Sequence, residues 1–183
     1  MNTFTEAEID QLEFVPEAEF ADSEFKGIDF SRHSLRSVSF LNCKFVNCNL
    51  ANQSLINAVI KDSIFESCKL LGINWCELKR IDALKFQESK LDFSNFQRLK
   101  LKKVEMIHCS ANDLDFSEAD LSFGNFEGTN LTNTNFDGAI LAGTDFRSAK
   151  GYFIDPRKTK IKGAKFSYPE AISLITALGA EVD

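Results

Sequence analysis

At 183 residues the chain is long enough for one domain, at roughly 150 residues per domain. Its 44% hydrophobic and 26% charged content is that of a folded protein and excludes wholesale disorder, and its 18 Phe stand beside two Tyr, one Trp and two His, which leaves little material for a histidine-based active site. The net charge of −6 is unevenly spread: residues 1–30 carry nine acids and one base, residues 31–110 thirteen bases and seven acids, and residues 111–183 eleven acids and seven bases.

The N-terminus, MNTFTEAEID, is acidic and has no basic segment followed by an apolar run, so no secretory leader is read from it. No apolar stretch approaches the ~20 residues of a membrane span, and the expected setting is cytoplasmic with no membrane partner. Residues 1–17 read as a lead-in or cap, with Thr5 to Glu8 at capping-box spacing ahead of Ile9 and Leu12.

From residue 18 to 150 the chain repeats. Large apolar residues recur every fifth position from Phe20 through Phe25, Phe30, Leu35, Phe40 and Phe45 to Trp75. After a one-residue slip in residues 76–80 the series resumes at Ile81 and continues through Phe86, Phe96, Phe116 and Phe126 to Phe146. Of these 26 centres only Ala111 is small. A period of five fits neither a helix nor a flat strand. Two residues before each centre sits a second, mostly small series that includes Cys43, Cys48, Ser63, Cys68, Cys109, Gly124 and Thr144. In an extended segment, residues two apart face the same side, so large and small residues point inward together and the chain turns once per pentad. The expected fold is an all-β solenoid, in which each coil buries its interior only by stacking on its neighbours. Bulkier residues at the small position, such as Ile73, Leu84, Val104 and Leu114, predict wider or distorted coils near the slip. The slip itself has the length of a one-residue bulge.

Residues 151–166 break the pattern, with a turn at Asp155-Pro156, although Ile161 and Phe166 return near the expected phase. Residues 167–183 read as a helix with Ser167 as N-cap, Glu170 completing a capping box and Gly179 as its C-terminal stop. Residues 180–182 could then form a short final strand. Ile172, Leu174, Ile175, Leu178 and Val182 supply apolar material, either to cap the last coil or to join two chains.

The segments SEADL, FGNFE, GTNLT, NTNFD and GTDFR, with FADSEF and NCKFVNCNL earlier, resemble the A(D/N)Lxx unit of the pentapeptide-repeat family. The resemblance implies a right-handed quadrilateral β-helix with four pentads per coil, hence about 6.5 coils, and residues 20 apart stacked on one face. In layout the chain is similar to Qnr-type quinolone-resistance proteins, the mycobacterial fluoroquinolone-resistance protein and microcin B immunity proteins, which finish with a short helix and an apolar tail. That likeness implies a homodimer joined through the C-terminus and a type II topoisomerase partner: a DNA mimic that protects DNA gyrase or topoisomerase IV.

No catalytic, cofactor or metal site is expected. No CxxC pair, phosphate loop, paired-His motif or Ser/His/Asp set occurs. Four of the five Cys fall at the small inward position, as buried apolar residues do. His33 falls inward and His108 outward. By 20-residue stacking, Lys61, Arg80, Lys100, Lys102 and Lys103 share one face, while Asp113, Asp115, Glu118 and Asp120 cluster near a corner. These two groups are the candidate binding surfaces. The basic one favours a scaffold for an acidic protein partner, with direct nucleic-acid binding less favoured, and the acidic one favours DNA mimicry. Phe93 and Phe123, two residues past their centres, are candidate anchors for either.

Overall fold

The computed structural model describes residues 2–182, the Asp10 side chain excepted; Met1 and Asp183, at the ends of the first and last expected segments, lie outside the described residues. Each pentad forms one side of a four-sided coil, and successive coils pair in parallel. Strands β1 (Asn2–Thr5), β3 (Ser23–Lys26), β5 (Lys44–Val46), β7 (Ile64–Glu66), β9 (Lys85–Gln87) and β10 (Glu105–Ile107) line one side, and β2 (Glu19–Ala21), β4 (Ser39–Leu41), β6 (Val59–Lys61) and β8 (Arg80–Asp82) line another. Single bridges at 20-residue spacing continue the pairing as far as Asp145 with Lys165. The architecture is the parallel β-solenoid expected from the repeat.

Two polar positions of the pentad make the corners. The residue before a centre is often Asp or Asn, and its side chain accepts the N–H two residues on: Asn95 from Gln97 at 2.9 Å, Asp115 from Ser117 at 2.9 Å, Asp145 from Arg147 at 3.0 Å. The residue two past a centre adopts a left-handed conformation, as at Asn42, Asn47, Asn52 and Asn57 with φ of 52–59°. Asn and Gly tolerate that region better than other residues, which accounts for their frequency there.

The interior is a set of ring columns. Phe25, Phe45, Phe65 and Phe86 stack with centroids 5.0, 4.7 and 5.4 Å apart, and all four are completely buried. The small inward residues satisfy backbone groups beside them. Thr129 and Thr144 donate their hydroxyls to the carbonyls of Met106 and Leu121 at 2.7 and 2.9 Å, and Ser89 Oγ accepts the Cys68 N–H at 3.0 Å. Val104 occupies the small inward position one coil above Gly124, where an added Cβ would lie 3.0 Å from the Leu121 carbonyl oxygen and 3.2 Å from that of Val104. Both are backbone atoms, so Gly124→Ala is expected to cost about 1–3 kcal/mol by overpacking, read as a lowered urea midpoint at unchanged slope.

The slip is absorbed without breaking a ladder. Trp75–Glu77 forms a 3-10 turn in place of the usual left-handed corner, capped by Asn74, which accepts the Cys76 N–H at 3.3 Å. Phe45 pairs with Phe65, 20 residues on; Phe65 pairs with Phe86, 21 on; and Phe86 pairs with Met106, again 20 on. The extra residue therefore lies in a corner and not in a bulged strand.

Both ends are more ordered than the sequence implies. β1 adds a level to the first side, with Phe4 opposite Phe25, and Ile9, in a 3-10 turn over Ile9–Gln11, is buried. Glu8 accepts from Thr5 N and Oγ1 at 2.9 Å each, which is the capping contact, ahead of that short turn. Phe14 closes the end against Phe20 and Phe30, with centroids 5.1 and 5.7 Å apart. At the other end Phe166 rejoins the first column, stacked on Phe146 at 5.5 Å.

The terminal helix is shorter than expected. Helix α1 spans Ile172–Ala177 and has no side-chain cap. Ser167 does not cap it, because its hydroxyl accepts the Ser148 N–H at 3.1 Å and residues 167–171 form a turn closed by Ala171 N to Ser167 O. Gly179, at φ 86°, ends the helix in a Schellman motif, with Ala180 N donating to Ile175 O and Gly179 N to Thr176 O. Residues 180–182 form no strand.

Candidate functional site

A filled solenoid offers its outside to other molecules. The side centred on Phe20, Phe40, Ile60, Ile81, Leu101, Leu121, Leu141 and Ile161 is called face 4 below. It carries all five candidate bases. Lys61 lies in β6 and Arg80 in β8, while Lys100, Lys102 and Lys103 flank the buried centre Leu101 one coil further on. Among the described residues Lys61, Arg80, Lys100 and Lys103 have no ion pair; Lys102 lies 3.4 Å from Asp120. An open groove of about 340 Å³ borders the face, lined by Asp82, Ala83, Leu84, Lys85, Lys102, Lys103 and Glu105.

The four candidate acids do not form one cluster. Asp113 and Asp115 flank one corner, while Glu118 and Asp120 flank the next, because each pair straddles an inward residue, Leu114 or Ala119. Three of the four are also engaged. Asp115 accepts from Ser117 N and from Asn135 Nδ2 at 3.3 Å. Glu118 forms a bidentate pair with Arg98, at 3.1 Å for both contacts, which holds its carboxyl below the ordinary range. Burial works to raise the Asp120 carboxyl, but hydrogen bonds from Ser122 and the nearby Lys102 outweigh it and hold the group low.

The same pattern runs along the rod. Lys44 pairs with Glu66 at 2.8 Å, Lys85 with Glu105 at 2.9 Å and Lys158 with Asp137 at 2.8 Å, each across adjacent coils. Stacking at about 4.8 Å brings a base beside the acid of the next coil, so the middle of the rod presents no continuous row of free carboxylates.

Two bases that belong to this geometry were not singled out in the sequence. Lys160 and Lys162 flank Ile161 on face 4, and bridges from Lys100 to Asp120, on to Ile140 and then to Lys160 place them in line. The available signal was the phase of Ile161, obscured by the irregular residues before it.

Phe93 and Phe123 are 69% and 65% exposed, at left-handed corners with φ of 64° and 61°. A bulky side chain at positive φ is a rare, strained choice, of the kind that collects at functional surfaces. Phe123 lies at the edge of face 4, its ring across Gly143, where an added Cβ would meet Cδ1 at 2.7 Å. Phe93 lies on a different column, its N–H donating to the Asn112 carbonyl of the next coil, where that of Phe123 donates to the Ala142 carbonyl.

Other chemistry-bearing residues are kept apart. His33 packs on Phe14, with centroids 5.4 Å apart, and His108 lies across the turn at Gly128. Cys43, Cys48, Cys68 and Cys109 are buried, and Cys76 is exposed. Burial pushes the Cys109 thiol up to about 11, and the neighbouring Cys48 thiol, with burial, raises the Cys68 thiol. Because Cys76 is exposed and the other four cysteines are buried, a thiol-reactive dye at neutral pH is expected to label Cys76 in the folded protein and all five in denaturant. Among the described residues no group of three His, Cys, Asp or Glu could hold a metal ion, and no helix is long and apolar enough to cross a membrane.

At the C-terminal end, Leu174 packs on the core and Ala177 is buried, which covers the last coil. Ile175, Leu178, Val182 and Tyr168 remain 46%, 58%, 45% and 83% exposed, and Ile172 is half-buried.

Comparison with known proteins bears on the fold. The family description "pentapeptide repeat region" matches residues 18–96, and "pentapeptide repeats (8 copies)" matches residues 115–150. No curated protein matches the chain. Among solved structures, QnrB1, a plasmid-mediated fluoroquinolone resistance protein, is similar over 100% of this chain and 99% of its own, with a TM-score of 0.54 and 18% identity. HetL, a pentapeptide repeat protein involved in heterocyst differentiation regulation from the cyanobacterium Nostoc sp. strain PCC 7120, is similar over 87% of this chain and 90% of its own, with a TM-score of 0.56 and 13% identity. At such identities the likeness is one of fold.

Proposed function

The chain belongs to the pentapeptide-repeat family, and from that premise we propose that it acts without catalysis, as a rod that binds an acidic protein partner through face 4. The observation that carries this reading is the gathering of Lys61, Arg80, Lys100, Lys102 and Lys103 on one side, four of them without an ion pair among the described residues. Unpaired lysines on a flat, repetitive surface draw an acidic partner by long-range attraction and fix its register on contact. Affinity capture from the native cell with the wild-type chain and with Lys100, Lys102 and Lys103 changed to Glu tests it. The reading expects captured proteins with acidic surfaces that are lost with the reversed variant. An unchanged set overturns it.

A second reading follows from the end-to-end likeness to QnrB1: modulation of a type II topoisomerase, DNA gyrase or topoisomerase IV, as a DNA mimic. The engaged state of Asp115, Glu118 and Asp120 weighs against mimicry by the acidic corners. Gyrase supercoiling in the presence of a fluoroquinolone decides it: rescue by micromolar protein supports this reading, and no rescue removes it.

The exposed Ile175, Leu178 and Val182 support a homodimer through the C-terminus, since they are apolar surface beyond what covers the last coil. Light scattering is expected to give twice the chain mass for the wild type and the chain mass for Leu178→Glu.

A further inference from the structure

Face 4 has more pattern than a patch of lysines. Along its last four coils the residues flanking the buried centres are Lys100, Lys102 and Lys103, then Asp120, the buried Ser122 and Phe123, then Ile140, Ala142 and Gly143, then Lys160 and Lys162. Asp120 is occupied by Ser122 and Lys102. The strip therefore reads cationic, apolar, cationic. Lys100, Lys103, Lys160 and Lys162 have no ion pair among the described residues, and all four are exposed. The Phe123 ring lies across Gly143 at the edge of the strip, at the level of the two coils that carry Asp120 and Ile140.

We propose that this strip is the docking site for an extended acidic segment of another protein, bearing two carboxylates four residues apart with an apolar residue midway. The proposal rests on the reading of face 4 as an acid-binding surface and adds the spacing. Three coil steps of about 4.8 Å separate the two lysine groups by ~14 Å. An extended chain rises about 3.4 Å per residue and shows residues i, i+2 and i+4 on one side, at 0, ~7 and ~14 Å. A segment lying along the rod then places its first carboxylate on Lys100 and Lys103, its apolar residue against Phe123 and Ile140, and its second carboxylate on Lys160 and Lys162. Charge complementarity sets the ends, and the strained, exposed ring sets the centre. An unpatterned polyanion uses only the ends.

The test is a titration of the full 15N-labelled chain, followed by amide chemical shifts, with the synthetic peptide Gly-Ser-Glu-Ser-Leu-Ser-Glu-Ser-Gly. The control, Gly-Ser-Glu-Glu-Leu-Ser-Ser-Ser-Gly, has the same composition with the spacing removed. The expected result is shifts confined to residues 100–103, 120–123, 140–143 and 160–163, with binding at least fivefold tighter than the control's. Phe123→Ser, at an exposed corner where folding is not at risk, is expected to remove that advantage while leaving poly-glutamate binding unchanged. Equal binding of the two peptides, with poly-glutamate bound on face 4, overturns the spacing and leaves the acid-binding surface standing. Shifts elsewhere, or no binding by either peptide or by poly-glutamate, overturn both. Tighter engagement of the same amides by a single-stranded oligonucleotide or by phosphatidylserine vesicles replaces the peptide with a different occupant and overturns the proposal.

Discussion

Phe65→Ala is expected to destabilise the protein by about 3–5 kcal/mol, the range for emptying a fully buried phenylalanine site. Phe65 is completely buried, lies 4.7 Å from Phe45 and 5.4 Å from Phe86 in near-parallel stacks, and meets the edge of Trp75 at 5.8 Å. Collapse into the void is hindered, because the rings above and below are fixed by their own ladders at 20- and 21-residue spacing. In a solenoid each coil contacts only its neighbours, so the loss falls on two interfaces and is shared by no other part of the core. A chain of this size shifts by about 2–4 °C per kcal/mol, which predicts a midpoint lowered by roughly 10 °C in thermal denaturation. Phe153→Ala, at a ring 60% exposed, is the matched control and is expected within about 0.5 kcal/mol of wild type.

Trp75 predicts a large effect for one substitution and a small one for another. Its ring is buried between Leu55 and Phe96 in the column order, stacked on Phe96 at 5.2 Å, yet its indole Nε1 has no hydrogen-bond partner among the described residues. Trp75→Ala is expected to cost about 3–5 kcal/mol through the cavity. Trp75→Phe also loses buried area, but it removes an orphaned N–H whose desolvation costs about 1–3 kcal/mol. The two contributions oppose, so Trp75→Phe is expected to leave the urea midpoint nearly unchanged. A Phe variant as unstable as the Ala variant would mean that the N–H is satisfied in solution. The same reasoning explains the scarcity of Tyr and Trp: a dry column has no partner for a polar ring.

The pentad made the solenoid legible because it needs no knowledge of distant contacts. The large residue, the small residue two before it and the polar remainder specify one inward side per pentad, and 20-residue stacking follows from closing four of them. That stacking also placed Lys61, Arg80, Lys100, Lys102 and Lys103 together on face 4. The ends were harder to read. Phe4 sits 21 residues before Phe25, and Phe14 packs across the end of the rod, so neither shows the period although both are part of the packing. Ser167 to Glu170 has the spelling of a capping box, but the Ser167 hydroxyl is committed to the Ser148 N–H, a contact 19 residues away that local spacing cannot reveal. The acidic corners misled for a related reason. Asp113, Asp115, Glu118 and Asp120 are neighbours in the chain, yet a pentad turns the backbone between them, and Arg98 and Lys102 reach two of them from the coil before.

Face 4, proposed above as the binding surface, is the side on which a partner is expected to lie. Phe93 and Phe123 permit a direct test, because they are almost equally exposed, share the same corner conformation and lie on different columns. Benzoylphenylalanine placed at 123 or at 93 keeps an aromatic ring at each site and cross-links on illumination to whatever lies against it. In the native cell, cross-linking at position 123 to a discrete partner, with none at 93, is the result predicted. Cross-linking at 93 alone, or to the same extent at both positions, would contradict the assignment of function to face 4.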